Sequence, residues 1–137
     1  MVEVHIDYEG QATLPRRSRP VGGLKSLPML RSTMRDVANR FPPTDLVATA
    51  FGTCLLTIIG IVARRKGLEI NGAVANVQKV MSNDLPRRIA ALPTTISIPL
   101  PADHPERAAI ESAALTCPVN ESLRPDIDRP VTFLWEG

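Results

Sequence analysis

The stretch of sequence that decides the fold runs from Pro43 to Gly67 and reads PTDLVATAFGTCLLTIIGIVARRKG. Thr44 is suited to cap a helix start, and Asp45 follows in the first turn, where exposed N–H groups favour negative charge. Residues 46–63 carry no charge, and the basic residues and glycine after them are typical of a helix C-terminus. The stretch therefore predicts a long helix that is buried nearly all round, with Cys54 in its middle.

The length and composition of the chain indicate one soluble domain. A chain of 137 residues can form a real core, and two cysteines do not make a disulfide scaffold. The N-terminus reads MVEVHIDY, which alternates like a strand and lacks the pattern of a secretory signal. We therefore expect a soluble, cytoplasmic protein.

The uncharged run 46–63 raises two further questions about partners. Its 18 residues are enough to span a membrane, but its threonines and glycines, and the strand patterns on both sides, favour a soluble α+β domain, so we expect no membrane partner. A domain of this size covers such a helix poorly by itself. We therefore expect a homodimer.

Hydrophobic periodicity predicts the remaining elements. Strands are expected over 2–8, over 68–81 with a break at Gly72, over 87–91 leading to 94–100, and over 131–135. Asp103 and Glu106 have the spacing of a capping box before a second helix that ends near Cys117. Pro118 suits the start of a third, short helix, with Cys117 as the residue through which the chain enters it.

Residues 11–41 differ in charge from the rest of the chain. They contain seven of the sixteen basic residues and only one acid, Asp36. A basic segment raises the hypothesis of a nucleic-acid patch. This one has a single aromatic residue, Phe41, and no known binding motif, so we expect no nucleic-acid partner.

Cys54 and Cys117 are the residues that can carry chemistry. Both lie on apolar helical faces, so they are either two buried, inert cysteines or a pair in which one thiol attacks and the other resolves the product as a disulfide. Unpaired N–H groups at the Pro118 helix would lower the pKa of Cys117. Spacing leaves open whether the two thiols meet. No cluster has metal-ligand spacing and no glycine-rich phosphate loop occurs, so we expect no metal and no cofactor.

The paired motifs resemble those of the OsmC/Ohr family of thiol-dependent hydroperoxide reductases, and most closely its general OsmC-like branch. The match covers about residues 42–137. It rests on the Pro-x-(Asp/Glu)-Leu start of the long helix, on small residues before a mid-helix cysteine, and on the later sequence ALTCPVNESL. The resemblance implies an α+β fold in which two chains intertwine as a homodimer, with long central helices packed on antiparallel sheets.

The resemblance also implies roles for individual residues in oxidative-stress defence. Cys54 matches the peroxidatic cysteine and Cys117 the resolving cysteine, and a small dithiol or lipoyl protein would reduce their disulfide. The family also uses an arginine from the N-terminal sheet and a glutamate near the start of the central helix. Thr44 stands at the position of this glutamate, with Asp45 beside it. Asp45 is therefore either a site residue or a helix-start residue. No arginine of this sequence is assigned to the family's arginine position. The alternative function is a non-catalytic OsmC-fold binding or structural protein.

A frame shift would explain the anomalous segment, residues 12–41. With suitable codons, the neighbouring reading frame of residues 24–41 gives an alternating strand, an Asp-Ala-Pro turn and a glycine loop, which the resemblance leads one to expect. We hypothesise that the anomalous segment was translated in a shifted frame that is restored near Pro42. Peptide mass mapping tests this, because a peptide LKSLPMLR as written would remove the interpretation as a sequence error.

Overall fold

The structure is a computed structural model, which describes residues 2–7, 11–12 and 43–137. Except for Ala12, the anomalous segment lies outside the described residues. The described elements are, in chain order, β1 Val2–Asp7, β2 Gln11–Ala12, α1 Pro43–Arg65, β3 Val74–Val77, β4 Val80–Met81, β5 Ile89–Ala91, β6 Thr94–Ile98, α2 Arg107–Ala114, α3 Pro118–Ser122 and β7 Val131–Trp135.

The strands form a five-stranded sheet in the order β2-β1-β3-β6-β7 and a separate two-stranded sheet of β4 and β5. All pairs in the larger sheet are antiparallel except β6 and β7, which run parallel in a register that pairs Thr94 with Val131 and Ile98 with Trp135. Parallel neighbours need a long crossover, and here α2 and α3 form it. The predicted α+β class is confirmed, and the parallel pair is a detail that the sequence analysis did not predict.

The core lies between α1 and one face of the larger sheet. On the helix, Phe51, Leu55 and Ile59 are fully buried. Burial alternates along the two central strands, as expected for strands with one face against a core. The central position predicted for α1 is confirmed by this packing.

The two ends of α1 show one wrong and one correct prediction. The helix begins at Pro43, so Thr44 lies inside the first turn and is not the cap. At the other end, Gly67 has a φ of 68°, which a residue without a Cβ adopts easily, and the N–H of Leu68 donates to the carbonyl of Ala63 at 2.9 Å. The glycine stop is confirmed.

Two other boundaries also differ from the prediction. Residues 68–73 form no strand and turn at 71–72, where the Ala73 N–H donates to the Ile70 carbonyl at 3.0 Å, because the chain must reverse after α1 before it can enter the sheet. The capping box is also wrong. Glu106 is itself the N-cap of α2 without a side-chain cap bond, and its carboxylate pairs with Lys66 at 2.6 Å instead.

One face of α1 is not covered by the described chain. We call this face the α1 stripe, and its residues are Val47, Ala50, Cys54, Thr57 and Ile61. Ala50 and Thr57 are exposed, Ile61 is 41% exposed, and the other two are half-buried. The spacing of three and four residues places the stripe on one side of the helix. The expected burial nearly all round is therefore not reached with the described residues alone.

The length and composition of α1 would also allow it to cross a membrane. Half of its most apolar window is buried inside the protein. The core helix of a soluble protein meets the same length and composition criteria, so this feature is weak support for a membrane span.

Candidate active site

Cys54 lies in the middle of α1, at the edge where the helix leaves the core. It is half-buried and packs against the buried cluster. Two nearby threonine hydroxyls donate hydrogen bonds to carbonyls of the same helix: Thr49 to Asp45 at 2.8 Å and Thr57 to Thr53 at 2.7 Å. The thiol is therefore the reactive group that this part of α1 offers to its surroundings.

Cys117 lies at the junction of α2 and α3 and is fully buried. As predicted, it is the N-cap of α3, with Pro118 at the first helical position. Its Sγ accepts a hydrogen bond from the Asn120 N–H at 3.3 Å, and Asn120 Nδ2 donates to the Leu115 carbonyl at 2.8 Å. The sulfur is thus held between two short helical elements.

The helix before Cys117 is tied to the sheet by its polar side chains. Trp135 of β7 packs against the core, and its Nε1–H donates to Glu111 at 2.8 Å. Arg107 pairs with the same carboxylate at 2.9 Å, and its guanidinium lies 5.8 Å from the centre of the Trp135 ring. Trp135 therefore fills space beside the core and helps to position the helix that leads to Cys117.

The structure brings the two cysteines together, although 117 − 54 = 63 positions separate them in sequence. The pKa of the Cys117 thiol is raised to about 11: burial is the largest cause, the neighbouring Cys54 thiol adds to it, and the Asn120 N–H acts in the opposite direction. The expectation of a lowered pKa is wrong, because the desolvation of a buried thiolate outweighs the N–H groups at the start of α3. Cys117 is therefore a protonated thiol at neutral pH.

This raised pKa predicts a loss of stability in alkali. In the unfolded chain the thiol would lose its proton near its ordinary value of 9.0, whereas the folded protein keeps the proton until about 11. Unfolding then releases a proton between these values, so stability is complete below pH 9 and falls by roughly 2–3 kcal/mol as the pH rises to 11. Urea unfolding of the reduced protein at pH 8 and 11 measures the change, and Cys117→Ser is the reference. Parallel pH profiles for the two proteins would contradict the prediction.

Asp45 and Thr44 bind a lysine that the sequence analysis did not consider. Lys79, just before β4, donates to Thr44 Oγ1 at 2.9 Å and to Asp45 Oδ1 at 2.5 Å. Both charged side chains are mostly buried, with 20% of Lys79 and 28% of Asp45 exposed. Nine residues of α-helix turn the chain by two and a half turns, so within one chain Asp45 faces away from Cys54. Nothing in the local sequence marks Lys79 as the partner of the helix start.

No cation contacts the two sulfurs in the part of the chain that the structure describes. The groups that act on Cys117 there are backbone N–H groups and Cys54. The same described residues hold no group of three or more His, Cys, Asp or Glu placed to bind a metal ion.

An open groove of about 340 Å³ lies on the face of the sheet, away from the cysteines. It is lined by uncharged residues, among them Asn76, Gln78, Thr95 and Thr132, between Pro93 and Pro130. Neither thiol contributes to it. This groove is therefore separate from the candidate site.

Comparison with known families matches residues 36–129, well over half of the chain, to OsmC-like proteins. The chain belongs to the OsmC-like family. Among solved structures, it is similar to an osmotic stress induced and detoxification response protein of Psychrobacter arcticus, with 43% identity and a TM-score of 0.64. That alignment covers 68% of this chain and 67% of the other.

Two more distant structures share the fold of this OsmC-like protein. The organic hydroperoxide resistance protein OhrB of Bacillus subtilis is 19% identical over 74% of this chain and 78% of its own, with a TM-score of 0.54. An OsmC-like protein of Mycoplasma pneumoniae is 20% identical over 69% and 72%, with a TM-score of 0.55. No curated protein gave a significant match. The family membership predicted from the two cysteine motifs is confirmed.

Proposed function

We propose that this OsmC-like protein is a thiol-dependent reductase of organic hydroperoxides that acts in oxidative-stress defence. The observation that carries the proposal is the contact between Cys54 and Cys117, one half-exposed and the other buried and protonated. This difference suits Cys54 as the first nucleophile and Cys117 as the resolving thiol. The similarity to organic hydroperoxide resistance proteins supports the same reaction class.

In the proposed reaction, the Cys54 thiolate attacks the hydroperoxide at the oxygen that carries the hydrogen. The O–O bond breaks, the alkoxide leaves and takes a proton from water to become the alcohol, and Cys54 becomes a sulfenic acid. The Cys117 sulfur then attacks the Cys54 sulfur, its proton and the sulfenic hydroxyl leave as water, and a disulfide forms. A small dithiol or a lipoyl protein restores both thiols by exchange. Cys117 is unsuited to the first step, because attack on the peroxide needs a thiolate and a pKa of about 11 keeps Cys117 protonated at neutral pH. In the second step its proton leaves together with the sulfenic hydroxyl.

A homodimer is the second part of the proposal. The α1 stripe is apolar, contains Cys54, and is uncovered in the described chain. A second copy that packs on the stripe would bury it and would place the thiol at the boundary between two chains. The same packing supports a soluble protein, since α1 covered by a second copy exposes little apolar surface to water, and we propose a cytoplasmic location as well.

The role of Asp45 remains a prediction. Its bond to Lys79 supports the helix-start interpretation within one chain, where it fixes the beginning of α1 against the strand connection. Because Asp45 faces away from Cys54 of its own chain, a catalytic role for Asp45 would require it to act on the cysteine pair of a second copy.

A non-catalytic binding or structural role is the alternative. The observation that favours it is that no lysine or arginine contacts either sulfur among the described residues, because a thiolate without a nearby cation is a minor species at neutral pH. Rapid alkylation of Cys54 at neutral pH would favour the enzyme, and two inert cysteines would favour the alternative.

The test of the proposed function is consumption of cumene hydroperoxide by the full chain with dihydrolipoamide as reductant. We expect multiple turnovers per chain, and the matched blank is the double variant Cys54→Ser/Cys117→Ser. Replacing the dithiol by a monothiol at equal thiol concentration should slow turnover, because a dithiol closes its own disulfide intramolecularly. Peptide mass mapping must first show that the anomalous segment of the tested protein has the sequence that the gene encodes. If it does, no turnover above the blank would reject the proposed enzyme activity.

A further inference from the structure

The Cys117 sulfur has two roles in the reduced protein. It is the thiol that faces Cys54, and it is also the N-cap acceptor of α3. A helix of five residues is not stable by itself, and none of the residues of α3 is fully buried. Its stability therefore depends on local contacts, of which the 3.3 Å bond from the Asn120 N–H to Cys117 Sγ is one.

A disulfide between the two cysteines requires one of the sulfurs to move. The S–S bond is about 2.05 Å, whereas non-bonded atoms pack at roughly 3.5–4 Å. Cys54 belongs to a helix of 23 residues whose next two side chains, Leu55 and Leu56, are buried. Fully buried side chains hold α1, whereas α3 packs on the core through the partly buried Val119, so the displacement is expected on the side of Cys117.

We propose that formation of the Cys54–Cys117 disulfide withdraws the N-cap from α3, which opens and exposes the Cys117 sulfur to a dithiol reductant. This inference rests on the proposed function, because it needs the disulfide that the reaction produces. In the reduced protein Cys117 is fully buried, so a reductant has no access to it until α3 moves. The oxidised protein would thus differ from the reduced protein in that α3 is open and the Cys117 sulfur is accessible to the reductant.

Access supports attack at the same sulfur. An external thiolate reacts with the disulfide sulfur that it can reach, and opening of α3 exposes the sulfur of Cys117. The reductant thiolate would bond to the Cys117 sulfur, and the electron pair of the broken S–S bond would remain on Cys54 as a thiolate. The second thiol of the reductant would then release Cys117 and close the reductant's own disulfide.

Amide hydrogen exchange at Asn120 tests the opening of α3 directly. In the oxidised full-length protein we expect exchange to be about fivefold faster or more than in the reduced protein, the change that loss of one N-cap makes to a local opening equilibrium. The N–H of Ile110 in α2, which donates to the Glu106 carbonyl at 3.0 Å, should exchange equally in both states. Unchanged or slower exchange at Asn120 with the disulfide present would overturn the proposal.

Two variants separate the cap from the disulfide. Cys117→Ser keeps a cap acceptor, since serine is a strong N-cap residue, so its Asn120 exchange should remain slow before and after oxidant. Cys54→Ser cannot form the internal disulfide, so oxidant should leave its Asn120 exchange at the reduced level. Faster exchange in oxidised Cys54→Ser would show that oxidation loosens α3 by another route, against the proposal.

The attacked sulfur can be identified with a monothiol. We expect 2-mercaptoethanesulfonate, added to the oxidised protein and quenched with acid at early times, to form a mixed disulfide on the peptide that contains Cys117. A mixed disulfide on Cys54 would overturn the assignment.

Oxidation by two reagents distinguishes failure of this inference from failure of the proposed function. If diamide forms the disulfide but cumene hydroperoxide does not, the peroxidase proposal fails, and the exchange and trapping results on the diamide-oxidised protein still decide the inference. If neither reagent forms the disulfide, as shown by intact mass after alkylation, both proposals are overturned.

Discussion

Cys54→Ser is expected to abolish hydroperoxide consumption, with turnover lower by about three orders of magnitude or more, as in other enzymes that lose their nucleophile. Serine has no thiolate to attack the O–O bond, and Cys117 does not replace it, because a thiol with a pKa of about 11 is protonated at neutral pH. The chain has no third cysteine. Stopped-flow or coupled measurement of peroxide loss gives the rate.

Cys117→Ser should fail in a different way. Its Cys54 should still react once and stop as a sulfenic acid, which dimedone traps on the peptide containing Cys54. Steady turnover with a dithiol should fall by about 100-fold, since an external thiol replaces a neighbour of far higher effective concentration. Thr116→Ser is the matched control, because Thr116 is exposed and serine keeps its hydrogen bond to the Ala113 carbonyl. Turnover that survives in Cys54→Ser but is lost in Cys117→Ser would reverse the two roles.

Ala50→Glu is expected to separate the proposed homodimer into folded monomers. Ala50 is exposed on the α1 stripe, one helical turn before Cys54. In a two-fold interface the substitution would bury two unpaired carboxylates, which costs several kcal/mol and should raise the dissociation constant by about three orders of magnitude or more. Light scattering at micromolar concentration measures the assembly, and circular dichroism verifies that each chain stays folded.

Ala109→Glu is the control for this experiment, because Ala109 is also exposed but lies on α2, away from the stripe. It should leave the assembly unchanged. The interface proposal would be wrong if the wild type were monomeric, or if Ala50→Glu scattered like the wild type. Because the stripe contains Cys54, a site shared between two chains also predicts that Ala50→Glu loses turnover, whereas Ala109→Glu keeps it.

The features that the sequence determined by itself are local. The uncharged run of α1, its stop at Gly67, the alternation in β6 and the N-cap at Cys117 each depend on residues within a few positions of one another. Periodicity and capping chemistry act over that range, so these features could be predicted. The specific pair of cysteine motifs extended the prediction to the OsmC-like family, which the match over residues 36–129 confirms.

The tertiary structure alone decided what depends on neighbours distant in sequence. It placed Cys117 against Cys54, raised the pKa of Cys117 where the local sequence predicted a lower one, and paired Asp45 with Lys79. The crossover of α2 and α3 set β7 parallel to β6, and the described residues pack on one side of α1 and leave the α1 stripe uncovered. Burial and contact are properties of the whole packed chain, and a thiol at a helix start keeps its proton when desolvation is stronger than the nearby N–H groups.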